Sequence, residues 1–447
     1  MKLTADNMKN KKITILGAGL SGVAAANLAI NFNAKVFISD LKVNSKLKDD
    51  NITSEFGEHT NKCLKCDFAI ISPVIPKNSF IINKIKKSNI PLISEIEFAS
   101  WFTNSPIIGI TGSNGKSTTV SILKNVFTKK YKNTYLGGNI GIPFSSNVLK
   151  EIKEKKKNAI HILELSSFQL EDILTFKPKI ACILNLSEDH LDRYKSIDEY
   201  YSAKINILKN LNKKSFFVYN TKDEKLYKNF KNKIQFIGFN KEGTHGNFIL
   251  DKSNIIEKNT KKIILDTQKI SLKGKHNIEN IIAAINIATI FNIETKIIYD
   301  SILSFKPLKH RMELIKPSNR ITFINDSKAT NPQSTIEAIK SSNKKTILIL
   351  GGYSKGKVNY KKIFNLSSHN IKKIICYGIE GKIIYDQLKN MFHSIYIMNF
   401  EKAVTYAVKI AKEENRVLLS PACSSFDQFN SFEERGNKFK EIVRNYT

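Results

Sequence analysis

A phosphate-binding loop is indicated by the segment GSNGKST (112–118), which follows the apolar run IIGIT (107–111). In such loops backbone amides surround the phosphates, a Lys at the position of Lys116 neutralises charge on the transferred group, and a hydroxyl like that of Ser117 can bind Mg²⁺. The strict pattern G-x-x-x-x-G-K-S requires Gly where this chain has Ile110. We therefore interpret the segment as a variant P-loop.

A second glycine-rich turn, Gly17-x-Gly19-x-x-Gly22, lies between a strand-like run and a helical pattern, and Asp40 ends the next strand-like run. Glycines let a backbone approach a phosphate at a helix N-terminus, and an acid at this distance can bind a ribose. Alone, the pattern favours an NAD-dependent oxidoreductase, but other nucleotides use the same turn, and a glycine-rich turn can also lack a ligand. Two nucleotide sites in one chain argue against a simple dehydrogenase.

Acidic residues follow two further strand-like runs. Glu164 closes IHILE (160–164), and a carboxylate at the end of a strand beside a P-loop strand is placed to bind Mg²⁺. The segment NLSEDHLDRY (185–194) combines acids with His190, although its spacing fits no standard zinc site. We therefore hypothesise that these residues form a second metal-binding region.

The pair Cys63-x-x-Cys66 is a weak signal. It has no partner pair for zinc and no thioredoxin-like context, so incidental reduced cysteines are the favoured interpretation.

Short β-branched runs alternate with helical patterns along the whole chain, which predicts parallel, doubly wound α/β sheets. Breaks occur at Asn104-Ser-Pro106 and at Lys306-Pro307. We predict three α/β domains, at 1–104, 105–307 and 308–447.

Composition excludes several classes of protein. The 447 residues, 41% of them hydrophobic, exceed one ordinary core and are too apolar for a disordered chain. The net charge is +31, but only six of the 71 Lys and Arg residues are Arg, so we expect no nucleic-acid partner. Five cysteines indicate a reducing compartment. No apolar stretch is long enough for membrane insertion, so a cytoplasmic protein is expected.

Ten segments together resemble the Mur ligases of peptidoglycan synthesis. They lie in the family's order across nearly the whole chain: TGSNGKST (111–118), GGNIG (137–141), LELSSFQLE (163–171), NLSEDHLDRY (185–194), YYSAK (200–204), GKHNIEN (274–280), HRME (310–313), NDSKATNP (325–332), LGGYSKG (350–356) and LLSPACSSFDQFNSFEERGNKF (418–439). The later segments resemble the branch that adds D-glutamate to UDP-N-acetylmuramoyl-L-alanine. The resemblance implies Rossmann-like first and third domains around a central P-loop domain with a mostly parallel sheet.

The resemblance also implies an ATP-dependent ligase that activates a carboxylate as an acyl phosphate, with Lys116, Glu164, His190 and Lys204 as catalytic residues. Two Mg²⁺ ions are expected, with Ser117, Glu164, His190 and Lys204 as ligands and Lys204 carbamylated. The implied ATP-binding residues are Gly112, Ser113, Asn114, Gly115, Lys116, Ser117, Thr118, Asn139, Asn277, Asn280, Arg311 and Asp326.

Two further sets follow from the resemblance. The UDP-substrate residues are Leu20, Ser21, Gly22, Asp40, Ser72 and Pro73. The D-glutamate residues are Lys328, Thr330, Lys355, Ser425 and Phe432. Val74 departs from the family, which commonly has Gly there; because Val tolerates a positive φ poorly, the loop conformation is in question. A monomer is expected.

Three alternatives remain open from the sequence. One is a relative with a different amino acid or acceptor, including the folylpolyglutamate synthases, which share the P-loop style. The glycine-rich turn with Asp40 and the segment SPACSSFDQF (420–429) argue against the folate enzyme. An oxidoreductase explains residues 13–40 but leaves the P-loop unused. A basic nucleic-acid-binding ATPase explains the charge but has no evident element for reading bases.

Overall fold

The computed structural model describes residues 7–43, 52–187, 193–222, 234–239, 247–272, 274–315, 321–354, 358–364 and 370–446. They form helices and mostly parallel sheets, which confirms the predicted α/β class. The chain divides into two compact units. One comprises Met1–Leu186, Asp198–Ile270 and Glu279–Ser304, and the other Ser187–Ile197, Ser271–Ile278 and Phe305–Thr447.

The first sheet is five-stranded and parallel, in the order β3-β2-β1-β4-β5. Apart from the partly exposed edge strand β3, its strands read as short apolar runs, because helices cover both faces of such sheets. The elements are β1 (Lys12–Leu16), α1 (Leu20–Asn31), β2 (Lys35–Asp40), β3 (Ile52–Phe56), β4 (Phe68–Ile71), α2 (Phe80–Lys87), β5 (Leu92–Ser94) and α3 (Glu95–Ser100).

The second sheet is six-stranded and parallel, in the order β11-β10-β9-β6-β8-β7. Its elements are β6 (Ile107–Thr111), α4 (Lys116–Lys130), β7 (Thr134–Gly138), α5 (Phe144–Lys153), β8 (Ile160–Glu164), α6 (Ser167–Glu171), β9 (Ile180–Ile183), α7 (Ile197–Ile205), β10 (Phe216–Asn220) and β11 (Gln235–Phe239). Because β6 lies between β8 and β9, the loops after these strands meet at one edge, where ligands of open α/β sheets bind.

An antiparallel three-stranded sheet and two helices follow: β12 (Phe248–Asp251), β13 (Asn254–Glu257), β14 (Ile263–Asp266), α8 (Lys275–Ile290) and α9 (Thr295–Leu303). The first two large sheets share a hydrophobic core, to which α3 contributes Ile96 and Phe98 and α5 contributes Phe144 and Val148. This shared core is why both sheets belong to one compact unit.

The last sheet lies in the second unit, in the order β15-β16-β20-β17-β18-β19, and of these described strands β15 alone pairs antiparallel. Its elements are β15 (Glu313–Ile315), β16 (Thr322–Asn325), α10 (Pro332–Lys340), β17 (Thr346–Gly351), α11 (Tyr360–Phe364), β18 (Ile371–Tyr377), α12 (Gly378–Leu388), β19 (Ser394–Tyr396), α13 (Phe400–Ile410), β20 (Arg416–Ala422) and α14 (Phe432–Tyr446).

The predicted domain boundaries near residues 104 and 307 stay a prediction, because the two compact units do not test them. None of the helices in the described part of the chain is long and apolar enough to span a membrane.

Candidate functional site

The P-loop depends on two glycines with positive φ. Gly112 has φ +147° and Gly115 has φ +88°, and α4 begins directly after Gly115. A Cβ on Gly115 would lie 2.3 Å from the Asn280 side-chain oxygen, so only glycine fits beside this amide. The loop therefore exposes backbone amides at a helix N-terminus, the arrangement that binds phosphate.

Asn185, directly after β9, holds the loop from the neighbouring strand. Its carbonyl accepts from the Ser113 N–H at 3.0 Å, and its side-chain oxygen accepts from the Asn114 N–H at 2.9 Å. Its side-chain NH₂ donates to the Asn114 carbonyl at 3.0 Å. Asn185 is thus a positioning residue that is absent from the predicted site residues. Its signal in the sequence is its place as the first residue of NLSEDHLDRY, directly after a strand.

Two lysine ammonium groups meet at the carbonyl of Gly112. Lys116 Nζ donates to it at 2.7 Å and also to the Ser113 carbonyl at 2.9 Å. Lys204 Nζ donates to the same Gly112 oxygen at 3.0 Å and lies 4.7 Å from the ring centre of Tyr200. Lys204 is only 2% exposed. Because the ammonium groups of the buried Lys204 and the half-buried Lys116 repel each other, an anion bound here is stabilised electrostatically.

Glu164 ends β8, next to the P-loop strand, and is buried. Its Oε1 accepts from Asn139 Nδ2 at 3.0 Å, and its carbonyl accepts from the Asn139 N–H at 2.8 Å. Its buried Oε2 has no hydrogen-bond partner among the described residues. A buried carboxylate oxygen of this kind fits a cation, and carboxylate and hydroxyl oxygens suit Mg²⁺. Glu164, with the buried Ser117 on the first turn of α4, is therefore compatible with the expected ion.

The glycine-rich turn of the first sheet is also tightly constrained. Gly17 has φ +100°, and a Cβ on Gly22 would lie 1.9 Å from the Gly17 carbonyl oxygen. Asp40 Oδ2 accepts from the Ala18 N–H at 2.6 Å, so this carboxylate fixes the turn from the end of β2. The expected UDP-substrate residues Leu20, Ser21, Gly22, Asp40, Ser72 and Pro73 all lie at the carboxyl ends of β1, β2 and β4.

The doubt about Val74 does not apply to this chain. Val74 has no positive φ, and its side chain is 80% exposed, so a β-branched residue is accommodated without strain.

In the second unit, Asp326 follows β16 and is buried. Its carboxylate accepts from the Ser420 hydroxyl at 2.9 Å and from the Met312 N–H at 3.1 Å. Burial raises the pKa of Asp326 to about 6, while the nearby charge of Arg311 and these hydrogen bonds oppose the shift. Asp326 and Arg311 are thus brought together.

Two of the expected amino-acid residues, Lys328 and Phe432, lie together at the start of α14. Lys328 Nζ lies 4.9 Å from the ring centre of Phe432, and Ser425 is buried in the loop after β20. Thr330 lies two residues beyond Lys328, before α10. Lys355 and His190 lie outside the described residues, so their roles stay predictions.

The predicted ATP ligands divide between the two units. Asn139 and Asn280 share a unit with the P-loop, whereas Asn277, Arg311 and Asp326 belong to the other.

Arg435, on α14, holds two loops that carry expected site residues. Its guanidinium donates to the Ser327 hydroxyl and carbonyl at 2.9 and 2.8 Å, and to the carbonyls of Cys423 and Ser424 at 3.1 Å each. It is fully buried. The sequence motifs did not single out Arg435, although an Arg in a Lys-rich chain was a usable signal.

Comparison with known proteins gives matches along the chain. Residues 12–80 match the MurD N-terminal domain, residues 110–288 the Mur ligase middle domain, and residues 310–423 the Mur ligase glutamate ligase domain. The UDP-N-acetylmuramoylalanine–D-glutamate ligase of Christiangramia forsetii is 38% identical over 97% of this chain and 99% of the relative. The enzyme of the same name from Clostridioides difficile is 35% identical over 98% and 99%.

Among solved structures, a pseudomurein peptide ligase type C from Methanothermus fervidus is similar in fold. It has a TM-score of 0.63 and 18% identity, and the match covers 98% of this chain and all of that one.

Proposed function

This chain belongs to the Mur ligase family, among the UDP-N-acetylmuramoylalanine–D-glutamate ligases, and on that premise we propose how its residues carry out the ATP-dependent ligation. The reaction joins the amino group of D-glutamate to the carboxylate of UDP-N-acetylmuramoyl-L-alanine and converts ATP to ADP and phosphate. It supplies a precursor of peptidoglycan. We place it in the cytoplasm and propose that the enzyme acts as a monomer.

The chemistry requires activation of the carboxylate, because an oxide ion cannot leave when the amine attacks. A carboxylate oxygen attacks the γ-phosphorus of ATP, and ADP leaves. The amine of D-glutamate then attacks the carbonyl carbon of the acyl phosphate, loses a proton, and expels phosphate. The enzyme contributes positioning and charge stabilisation to both steps.

The P-loop residues act in the first step, the transfer of the γ-phosphoryl group to the carboxylate. The loop 112–118 and the amides at the start of α4 surround the phosphates, while Asn185 holds the Ser113 and Asn114 N–H groups, and Lys116 opposes the charge that develops on the transferred group. Ser117 and Glu164 would hold one Mg²⁺, with Asn139 close by through its hydrogen bond to Glu164. When bound, Mg²⁺ neutralises charge on the phosphate oxygens.

Lys204 would serve a second ion together with His190. An ammonium repels Mg²⁺, whereas a carbamate offers anionic oxygen ligands. The carbamate forms when the neutral Nζ attacks dissolved CO₂ and a proton is lost. The burial of Lys204 against the P-loop supports this assignment, because lysine side chains are almost never fully buried unless they are paired.

The remaining residues bind the two substrates. The turn at Gly17–Gly22 and the loop at Ser72-Pro73 would bind the uridine diphosphate. Lys328, Thr330, Lys355, Ser425 and Phe432 would surround D-glutamate, where two cations and hydroxyls suit a diacid.

The observation that carries the mechanism is the buried Oε2 of Glu164, without a hydrogen-bond partner in the described part of the chain, beside a P-loop on which Lys116 and Lys204 converge. The acyl-phosphate route is tested with acceptor labelled with ¹⁸O in its carboxylate. Transfer of one ¹⁸O into the released phosphate is expected. Phosphate that carries no label would contradict the route, since no carboxylate oxygen would then have attacked phosphorus.

A further inference from the structure

A compact set of metal-ligating side chains lies in the first sheet, away from the P-loop. Glu55 is on β3, and the chain then turns through His59 into a short 3₁₀-helix (Asn61–Leu64) that contains Cys63. One ligand atom from each of Glu55, His59 and Cys63 lies within 4.8 Å of the other two. Cys63 is fully buried, while Glu55 and His59 are half-buried, so the set is enclosed on one side and reachable from solvent on the other.

The contacts within this cluster (Glu55, His59 and Cys63) are short. Cys63 Sγ donates to Glu55 Oε1 at 3.2 Å. Ser39 Oγ lies between Glu55 and His59, because it donates to Glu55 Oε1 at 2.8 Å and is 2.7 Å from His59 Nδ1. Thr60 holds the carboxylate through its N–H at 2.9 Å and its hydroxyl at 2.6 Å. Glu55 Oε1 thus accepts from Ser39, Cys63 and the Thr60 N–H, and Oε2 accepts from the Thr60 hydroxyl, so the protein orients both carboxylate oxygens.

We propose that Glu55, His59 and Cys63 form a zinc-binding site. A sulfur, a nitrogen and a carboxylate oxygen are a set that Zn²⁺ accepts and that Mg²⁺ or Ca²⁺ does not favour. In a tetrahedron with Zn–S near 2.3 Å and Zn–N and Zn–O near 2.0–2.1 Å, ligand atoms stand about 3.3–3.6 Å apart. Cys63 Sγ and Glu55 Oε1 are already 3.2 Å apart, and His59, whose ligand nitrogen lies within 4.8 Å of both, would close on them when the ion binds. Water completes the fourth position, and the Cys63 proton is released to solvent on binding.

Cys66 is not a ligand in this proposal. Its thiol donates to the Cys63 carbonyl at 3.4 Å, and the converging ligand atoms of the described residues do not include its sulfur. The C-x-x-C spacing is therefore not what makes the site. A C-x-x-C zinc site needs a second Cys or His pair elsewhere in the chain. The partners of Cys63 are instead Glu55 and His59, which the turn after β3 brings close to it.

The site would stabilise the edge of the sheet that carries the glycine-rich turn. Ser39 pairs with Glu55 in the β2–β3 register, and its carbonyl accepts from the Gly17 N–H at 2.8 Å. Metal bound at the cluster thus fixes the strand on which the turn depends. The proposal concerns metal binding and does not rest on the ligase reaction.

The test is metal uptake by the full chain without nucleotide or substrate. Metal-free protein is titrated with Zn²⁺, and with Co²⁺ as a spectroscopic probe. One equivalent of either ion is expected, with sulfur-to-cobalt charge-transfer absorption and a higher melting temperature. Cys63→Ser should lose the charge-transfer band, and His59→Gln should weaken Zn²⁺ binding by more than about tenfold.

Cys182→Ser, which removes a buried thiol of the neighbouring sheet, is the matched control, and Cys66→Ser keeps a hydroxyl that can still donate to the Cys63 carbonyl. Both should bind one equivalent as the parent does. Circular dichroism checks that each variant keeps the helix content of the parent. Cys63→Ser changes a buried residue and His59→Gln a half-buried one, so a folding defect in one variant is not expected in the other. Absence of stoichiometric uptake by the parent, or equal uptake by Cys63→Ser and the parent, would overturn the proposal and leave a hydrogen-bonded cluster only.

Discussion

Arg416 and Arg435 are both fully buried in a chain in which only six of the 71 Lys and Arg residues are Arg. Arg416 donates to Thr346 Oγ1 and to the carbonyls of Ala338 and Ile339 at the end of α10. Burial lowers the pKa of Arg416 to about 10. A guanidinium has five donors in a planar fork, which lysine cannot reproduce. At these two positions an Arg satisfies several fixed acceptors at once.

Arg435→Lys is therefore expected to destabilise the second unit. Lysine has three donors for the four acceptors that Arg435 satisfies at Ser327, Cys423 and Ser424, so at least one of these bonds is lost, at about 1–3 kcal/mol for each acceptor left unpaired. A lower melting temperature and weaker D-glutamate binding should follow. Arg444→Lys, at an exposed position of the same helix, is the control and should change stability by less than about 0.5 kcal/mol. Equal stability of the two variants would contradict this role.

Lys116→Ala should lower kcat by about 10²–10³-fold or more, because it removes the cation that opposes charge on the transferred phosphoryl group. Its fold should persist, since the Gly112 carbonyl still accepts from Lys204 Nζ and the Ser113 N–H still donates to the Asn185 carbonyl. Lys129→Ala, at an exposed position on the same helix, should keep parental turnover. Full turnover by a folded Lys116→Ala enzyme would remove the P-loop lysine from the mechanism.

Lys204→Ala should be nearly inactive, and short carboxylic acids should partly restore its activity by occupying the space of the carbamate. Lys204→Arg should stay inactive, because a guanidinium keeps its charge and forms no carbamate. Turnover is measured with Mg²⁺ and both substrates, with and without added acetate. A fully active Arg variant would show that Lys204 has no part in metal binding.

At the scale of elements, strand–loop–helix units were predictable and the contacts that hold them were not. The P-loop and the glycine-rich turn are local patterns, and the structure confirms a strand before each and a helix after each. Asn185 and Arg435 were missed because their partners lie far away in sequence. Glu97 is a further case: it accepts from the N–H groups of Leu174, Thr175 and Phe176, about 80 residues along the chain.

Glu95 makes the packing of α3 against α5 dependent on pH. It is buried at the start of α3, and its carboxylate accepts from the Ser145 N–H on α5. Burial raises the pKa of Glu95 to about 7, although the bonds from Ser145 oppose the shift. Because the folded-state pKa lies above the ordinary value of 4.5, the contribution of the neutral form is fully present below pH 4.5. It is lost as the pH rises through 7.

Glu95→Gln should therefore be close to the parent in stability at pH 4.5 and more stable at pH 8, by as much as about 3 kcal/mol. The glutamine still accepts from the Ser145 N–H but has no charge to bury. Melting temperatures of both proteins at the two pH values measure this, and taking the difference at each pH cancels the other titrating groups. A difference that is constant with pH would contradict the assignment.

At the scale of the whole molecule, the sequence carried the family and the positions of its motifs, whereas the grouping into two units follows from packing. The shared core of α3 and α5 joins the first two sheets, which motif order alone does not reveal. The roles of Lys328, Thr330 and Phe432 toward D-glutamate stay predictions, since their spacing in the sequence fixes no distance to a ligand.

The most direct measurement is phosphate release from ATP by the purified chain with Mg²⁺, UDP-N-acetylmuramoyl-L-alanine and one amino acid at a time. D-Glutamate, L-glutamate, L-alanine, L-lysine and meso-diaminopimelate form the set, and reactions without acceptor are the control. We predict release with D-glutamate alone and only when the acceptor is present. Release that needs no acceptor, or that prefers another amino acid, would contradict the proposed ligation of D-glutamate.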